Sequence, residues 1–240
     1  MRRFHKLRDD KKVDGGAVAD LVFTDPPYNV NYADKNNFLN EIDKGNRIQE
    51  DIENDNFKSD DDCMEKLWLP VFKNLYDVAN GKCAIYVTMP QGSAHIKMSQ
   101  CVQEAGWKVK QELQWVKNNH VLGRCDYLYK HEPILYGWKD THNWYGKGNF
   151  TKSVWEIAKP QKSDLHPTMK PIELIANALL NSTKQNESVL DLFGGSGSTL
   201  IACEQLNRKC YMMELDNRYC DVIIKRWETL TGKKAVRIEE

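Results

Sequence analysis

Short apolar runs alternate with amphipathic stretches along most of the 240 residues. Ala19 to Thr24 (ADLVFT) predicts a buried strand that stops at Asp25-Pro26-Pro27-Tyr28, where the prolines withhold backbone donors. Met64, Leu67, Trp68, Val71, Phe72, Leu75 and Val78 recur at helical spacing, with Gly81 as the stop. Cys83 to Thr88 predicts a strand, Ile96 to Ala105 a helix ending near Gly106, and Val109 to Val116 an alternating strand. Pro133 to Trp138 (PILYGW) predicts a further short strand. Pro171 suits a first helical turn, and Ile172 to Leu180 predicts the helix it opens. Ser188 to Leu192 reads as a buried strand, Ser196 to Leu206 as a helix and Cys210 to Leu215 as a strand. Tyr219 to Leu230 closes the series as an amphipathic helix. Strands alternating with helices imply an α/β fold, a parallel sheet covered on both faces.

Two stretches break this rhythm. Residues 31–62 are polar, acidic and Asn-rich, and predict a long mobile loop. Residues 118–165 dissolve into aromatics, Gly, His and Lys, and predict an irregular recognition surface. Charge follows the same division. Glu41 to Glu65 holds ten acidic and three basic residues, and Lys108 to Lys162 ten basic and five acidic. The whole chain balances 34 Lys and Arg against 34 Asp and Glu, so any nucleic-acid surface must come from local segregation. Arg124, Lys130, His131, Lys139, His142 and Lys147 are candidates to reach bases or phosphates, though each alone also fits a solvated surface. Trp138, Trp144, Tyr145 and Trp155 are candidate wedges, or buried packing.

Seven cysteines with no Cys-x-x-Cys pair describe neither a disulfide framework nor a zinc site, and no metal is expected. They read as small core residues. Met1 to Lys12 is charged and lacks an apolar signal core, and no run reaches the roughly 20 apolar residues of a membrane helix. The expectation is a soluble, cytoplasmic chain folded as a single domain over residues 1–240.

Two motifs carry chemistry. Asp191-Leu192-Phe193-Gly194-Gly195-Ser196-Gly197-Ser198-Thr199 follows a strand and opens a helix. Glycines there let the backbone turn sharply and approach a ligand, and the helix N-terminus favours negative charge. Glu214 ends the next strand about 20 residues on, where a carboxylate can accept from ribose hydroxyls. The pattern also fits a ligand-free strand–helix turn. A nicotinamide enzyme is disfavoured, because Gly194, Gly195 and Gly197 followed by Thr199 do not make Gly-x-Gly-x-x-Gly.

The second motif is Thr24-Asp25-Pro26-Pro27-Tyr28-Asn29. A nucleobase amino group is a poor nucleophile because its lone pair is delocalised into the ring. Asp25 and the Pro26 carbonyl could accept its two hydrogens and localise that pair, and Pro26 and Pro27 would stiffen the turn. Tyr28 offers a face for an unstacked base.

With these motifs the chain resembles the β-group amino-methyltransferases of DNA, from about Ala19 to Trp227, in the circularly permuted order: Asp-Pro-Pro-Tyr, recognition region, glycine motif. It is similar to phage and prophage adenine methylases. The resemblance implies a Rossmann-like S-adenosylmethionine-dependent methyltransferase fold, mostly parallel with helices on both faces. It implies double-stranded DNA as partner and leaves a homodimer or partner chain open. It assigns Phe193, Gly194, Gly195, Ser196, Gly197, Asp191 and Glu214 to the cofactor. His166-Pro167-Thr168-Met169-Lys170-Pro171 resembles the family's His-Pro-Thr-x-Lys-Pro element, which makes Thr168 and Lys170 cofactor contacts. Asp25, where other members carry Ser, favours N6 of adenine over N4 of cytosine. One departure stands out. The family carries an upstream strand ending in Gly-Asp or Cys-Asp, whereas Asp9 and Asp10 here sit in a charged, non-strand context. A catalytically impaired nucleic-acid-binding subunit is the reading that this departure suggests.

Overall fold

A computed structural model of the chain describes residues 19–30, 34, 36–37, 40–41, 44, 54–120, 126–159 and 169–238. Asp9, Asp10, Arg124, His166, Pro167, Thr168 and most of the expected 31–62 loop lie outside them.

The described strands are β1 (Ala19–Thr24), β2 (Ala79–Thr88), β3 (Lys108–Val116), β4 (His131–Trp138), β5 (Val154–Glu156), β6 (Ser188–Asp191) and β7 (Lys209–Met212). They form one seven-stranded sheet in the order β5-β3-β4-β2-β1-β6-β7. β4 pairs antiparallel with both β2 and β3, and the other pairings are parallel. A helix in three stretches, Asp60–Cys63, a π-helical turn Met64–Trp68 and Leu69–Val78, precedes β2 and is here α1. The others are α2 (Ser93–Glu104), α3 (Ile172–Ser182), α4 (Ser198–Gln205) and α5 (Asn217–Thr231).

Strand alternation divides the core. Val22 of β1 faces α1 and α2, among Trp68, Phe72, Leu75 and Met98. Its neighbours Leu21 and Phe23 face α3 and α4, among Leu174, Leu179 and Ala202. Large side chains such as Trp68, Phe72 and Leu75 are fully buried, each contributing roughly 1.5–3 kcal/mol. Cys63, Cys83, Cys101 and Cys203 are buried free thiols of this core, as their apolar settings predict. α5 buries no residue fully and lies along the β7 side, with Asp216 as N-cap and Gly232 as its left-handed stop.

Several boundaries differ from the sequence expectation. β2 begins at Ala79, so Gly81 lies inside the strand and Ala79 caps α1. The Gly81 carbonyl accepts from Asp140 and Thr141, which draws the chain into the sheet early. α4 starts at Ser198 rather than Ser196, because residues 195–197 form a turn with Gly197 at φ 81°. α1 begins at Asp60, inside the stretch read as loop, and Asp55 before it is buried.

The 118–165 stretch is divided more deeply. β4 and β5 belong to the sheet, with Ile134, Tyr136 and Trp155 in the core. Because β4 runs antiparallel, His131 stands at the carboxyl ends of the parallel strands and Trp138 at their amino ends. Residues 139–147 therefore leave the sheet at the far end from Asp25. There Lys139 Nζ donates to the carbonyls of Tyr76 (2.7 Å) and Ala79 (2.9 Å), an internal role that fits the structural one of its two readings. His142 stacks on Trp138 at 3.9 Å. Trp144, Tyr145 and Lys147 line a shallow cavity with Thr183, Lys184 and Arg208. Of the described candidates, Lys130 and His131 are the two at the end that bears the Asp-Pro-Pro-Tyr turn.

Candidate active site at the carboxyl ends of β1 and β6

β1 ends at Thr24, and Asp25 is the first residue beyond the sheet. The turn that follows is pinned from outside. Trp68, closing the π-helical turn, donates its indole N–H to the Pro27 carbonyl at 2.9 Å. Asn29 takes a left-handed φ of 59°, its amide donates to Asp60, and the Val30 N–H donates to Asp55. Asp25 Oδ1 accepts from the Tyr28 hydroxyl at 2.8 Å and from the Thr88 hydroxyl at the end of β2. Its Oδ2 accepts from Lys170 Nζ at 2.7 Å. The ammonium also lies 5.6 Å from the Tyr28 ring centre. Burial, and then the Asp25 charge, push the Tyr28 hydroxyl well above the usual range, so it stays a neutral donor.

A chain of alternating charge backs this turn. Lys170 Nζ lies 3.4 Å from Glu132 Oε2, and Glu132 Oε1 pairs with Lys117. Lys117 is only 4 % exposed. Burial opposes charge on Glu132, but Lys170 and then Lys117 prevail and hold its carboxyl down at about 2. Burial likewise opposes charge on Lys170, and Asp25 and Glu132 hold its ammonium well above the usual lysine range.

The glycine turn follows β6, the strand next to β1, with Leu21 opposite Val189 and Val22 opposite Leu190. Asp191 joins the two turns. Its Oδ1 accepts from Thr24 at 3.2 Å and from the Phe193 N–H at 3.1 Å, and its Oδ2 from Thr199 at 2.6 Å. Burial pushes this carboxyl up to about 7 against the pull of those donors. A Cβ on Gly194 would stand 2.7 Å from Met212 Sδ, and one on Gly197 3.1 Å from Ile223. Close packing against Met212 thus favours glycine at 194, and the left-handed φ of 81° at 197 favours it there, before any ligand arrives. Glu214 Oε2 accepts from the Gly195 N–H at 2.6 Å, while Oε1 accepts from Leu215 and Asp216. Ser198 Oγ donates to the Lys170 carbonyl at 3.0 Å and ties the lysine's segment to the start of α4.

The structure thus gathers Asp25, Pro26, Pro27, Tyr28 and Lys170 on one side and Phe193, Gly194, Gly195 and Gly197 with Glu214 on the other. Three side chains expected to face the cofactor are turned elsewhere. Asp191 is buried between the turns, Ser196 Oγ accepts from Arg226 at 3.0 Å, and the Lys170 ammonium is committed to two carboxylates. Thr88, Lys117, Glu132 and Trp68 belong to the site although nothing in their local sequence marks them.

An α/β sheet with two ligand-type turns at the carboxyl ends of adjacent parallel strands defines the class as nucleoside-cofactor enzymes. The sequence profile of the family described as DNA methylase (N6_N4_Mtase) matches residues 19–226, and the chain belongs to that family, whose methyl donor is S-adenosylmethionine. It is similar to the Type II methyltransferase M2.LlaDCHI of Lactococcus lactis subsp. cremoris, 28 % identical over 231 residues, 86 % of this chain and 81 % of that one. It is 25 % identical over 233 residues to the Type II methyltransferase M2.DpnII of Streptococcus pneumoniae, covering 87 % and 82 %. Among solved structures, the M1.HpyAVI–SAM complex superposes with a TM-score of 0.64 at 23 % identity, covering 94 % of each chain. The residues present suit the donor. Glu214 keeps acceptor capacity after binding three backbone N–H groups, since a carboxylate offers about four lone-pair sites. Among the described residues no helix is long and apolar enough to cross a membrane.

Proposed function

We propose that this DNA methyltransferase methylates N6 of adenine in duplex DNA, with Asp25 and the Pro26 carbonyl as acceptors for the target amino group. The observation that carries the reading is the buried Thr24–Asp191 hydrogen bond, 3.2 Å long, which locks the acceptor turn beside the glycine turn. S-adenosylmethionine supplies a methyl group already activated on a sulfonium. The chain's own task is positioning and charge. An adenine in duplex must leave the stack, at a cost of a few kcal/mol met by backbone and pocket contacts. Tyr28 offers its ring to the extruded base, and Lys130 and His131 stand at the end of the sheet where the flanking duplex would lie. The Asp25 carboxylate draws on an amino hydrogen, localises the nitrogen lone pair and offsets the positive charge that grows as the new bond forms. Glu214 holds the ribose hydroxyls, and Gly195 keeps the floor of the cofactor site open. Asp191 and Ser196 act in the scaffold, Asp191 as the link between the turns and Ser196 as a partner of Arg226.

Incubation with labelled S-adenosylmethionine and duplexes of adenine–thymine or guanine–cytosine composition, followed by nucleoside mass spectrometry, tests the assignment. N6-methyladenine from the adenine duplex alone is the expected product. N4-methylcytosine would replace the reading by cytosine methylation, and a chain that binds DNA but no S-adenosylmethionine would favour a nucleic-acid-binding subunit.

A further inference from the structure

Asp25 is heavily committed before any base arrives. Its Oδ1 holds two hydroxyl donors and its Oδ2 holds the Lys170 ammonium at 2.7 Å. An ammonium there weakens the carboxylate as an acceptor. It also opposes the positive charge that grows on the target nitrogen during transfer. A second carboxylate stands within reach of the same ammonium. Glu132 Oε2 is buried and lies 3.4 Å from Lys170 Nζ, an ion pair longer than the 2.7 Å contact to Asp25 and without an aligned hydrogen bond. Buried carboxylate oxygens ordinarily accept an aligned hydrogen bond, so this loosely paired one has room for the ammonium to come closer. Glu132 itself cannot follow its partner. Its other oxygen is held by the buried Lys117, and its backbone belongs to β4. Lys170 can move. Its carbonyl is fixed by Ser198, but four methylenes let the ammonium swing between two acceptors without moving the chain.

We propose that Glu132 is a positioning residue that takes the Lys170 ammonium from Asp25 when the target amino group enters, freeing Asp25 Oδ2 to accept an amino hydrogen. The proposal rests on the methylation reading above. No proton needs to transfer in this exchange. Lys117, Glu132, Lys170 and Asp25 alternate in sign, and the lysine changes only which carboxylate it bonds. The role of Glu132 is therefore expressed through Lys170.

The test compares Glu132→Gln, Lys170→Gln and the double variant in methylation of an adenine duplex. Kd for S-adenosylmethionine is taken from calorimetry and folding from thermal melts. Glu132→Gln is expected to lower kcat on the order of tenfold to a hundredfold, with the cofactor Kd and the KM for DNA little changed. The double variant is expected to be no slower than Lys170→Gln alone, because without the lysine Glu132 has nothing to draw away. Should Glu132→Gln not fold, Glu132→Asp carries the test: it keeps the charge, withdraws the oxygen by one methylene, and should show the same suppression by Lys170→Gln. An unchanged kcat in Glu132→Gln, or losses that multiply in the double variant, would overturn the role of Glu132 alone. A wild-type chain that methylates no adenine duplex would overturn both this role and the methylation reading.

Discussion

The two turns that meet at the carboxyl ends of β1 and β6 are held in different proportions by side chains and by backbone. Side chains from distant parts of the chain hold the first: Trp68, Thr88 and Lys170 reach Asp25 and Pro27 from three other elements or segments. Backbone bonds and close packing hold much of the second, with Glu214, Asp191 and Arg226 as its side-chain partners. Gly194 donates to the Met213 carbonyl and Gly197 to the Gly194 carbonyl; a Cβ on Gly194 would collide with Met212, and Gly197 takes a left-handed φ of 81° against Ile223. The first turn can be altered by changing charge, and the second by changing volume. Asp191 is where they touch, and it is the one ionisable side chain of the motif in the second turn.

The largest break in this contrast is Asp25→Ala. Methyl transfer should fall by about 10³-fold, since in the proposed role the group acts on charge that develops in the transition state. Cofactor affinity by calorimetry should stay within a few fold. Near-normal turnover would remove Asp25 from the acceptor role.

A volume change in the second turn should have the converse profile. Gly194→Val drives a side chain into Met212 and Ile223 and should destabilise the fold by about 1–3 kcal/mol in urea unfolding. Met212→Ala in the same chain should restore part of that loss. If it restores none, packing against β7 is not what requires the glycine. Gly195→Leu, at a left-handed φ of 50°, should weaken S-adenosylmethionine binding more than it weakens the fold. An unchanged Kd would remove Gly195 from the cofactor site.

The turns should also differ in sign under acid. Glu132 is lowered in the folded chain from an ordinary 4.5 to about 2, so its contribution is present above 4.5 and lost as pH falls through 2. Asp191 is raised from 3.8 to about 7, so its contribution is full below 3.8 and lost as pH rises through 7. Melting curves across this range should show Glu132→Gln flattening the acid limb and Asp191→Asn flattening the slope up to neutrality. Parallel slopes in the two variants would contradict the assignment.

The smallest effect expected is that of Trp68→Phe, which removes one hydrogen bond to the Pro27 carbonyl. It should cost about 0.5–1.5 kcal/mol in stability. A kcat that falls further than stability would show that the bond also aligns Asp25.

Much of this molecule is legible in its sequence because the signals are local. An apolar run closed by two prolines marks β1 and its turn, a helical stripe from Met64 to Val78 marks α1, and Gly-Gly-Ser-Gly marks the turn after β6. Pro and Gly act on the backbone of their own residues, so their meaning survives without knowledge of the fold. Residues whose roles depend on remote partners read ambiguously or not at all. His142, Trp144 and Lys147 have the chemistry of a recognition surface, yet the antiparallel run of β4 carries them to the far end of the sheet. Gly194 and Gly197 read as ligand approach, and the structure adds Met212 and Ile223 as a prior reason for them.

Periodicity and backbone chemistry therefore determined which elements form and where the two candidate turns fall. Only strand order and direction decided what surrounds those turns. Glu132 meets Lys170, and Lys170 meets Asp25 across 145 residues of chain, because separate strands and a connecting segment meet at one end of the sheet. Such ion pairs leave no periodic trace in a sequence. They require two charges at one point in space, and nothing in the spacing of residues along a chain encodes that.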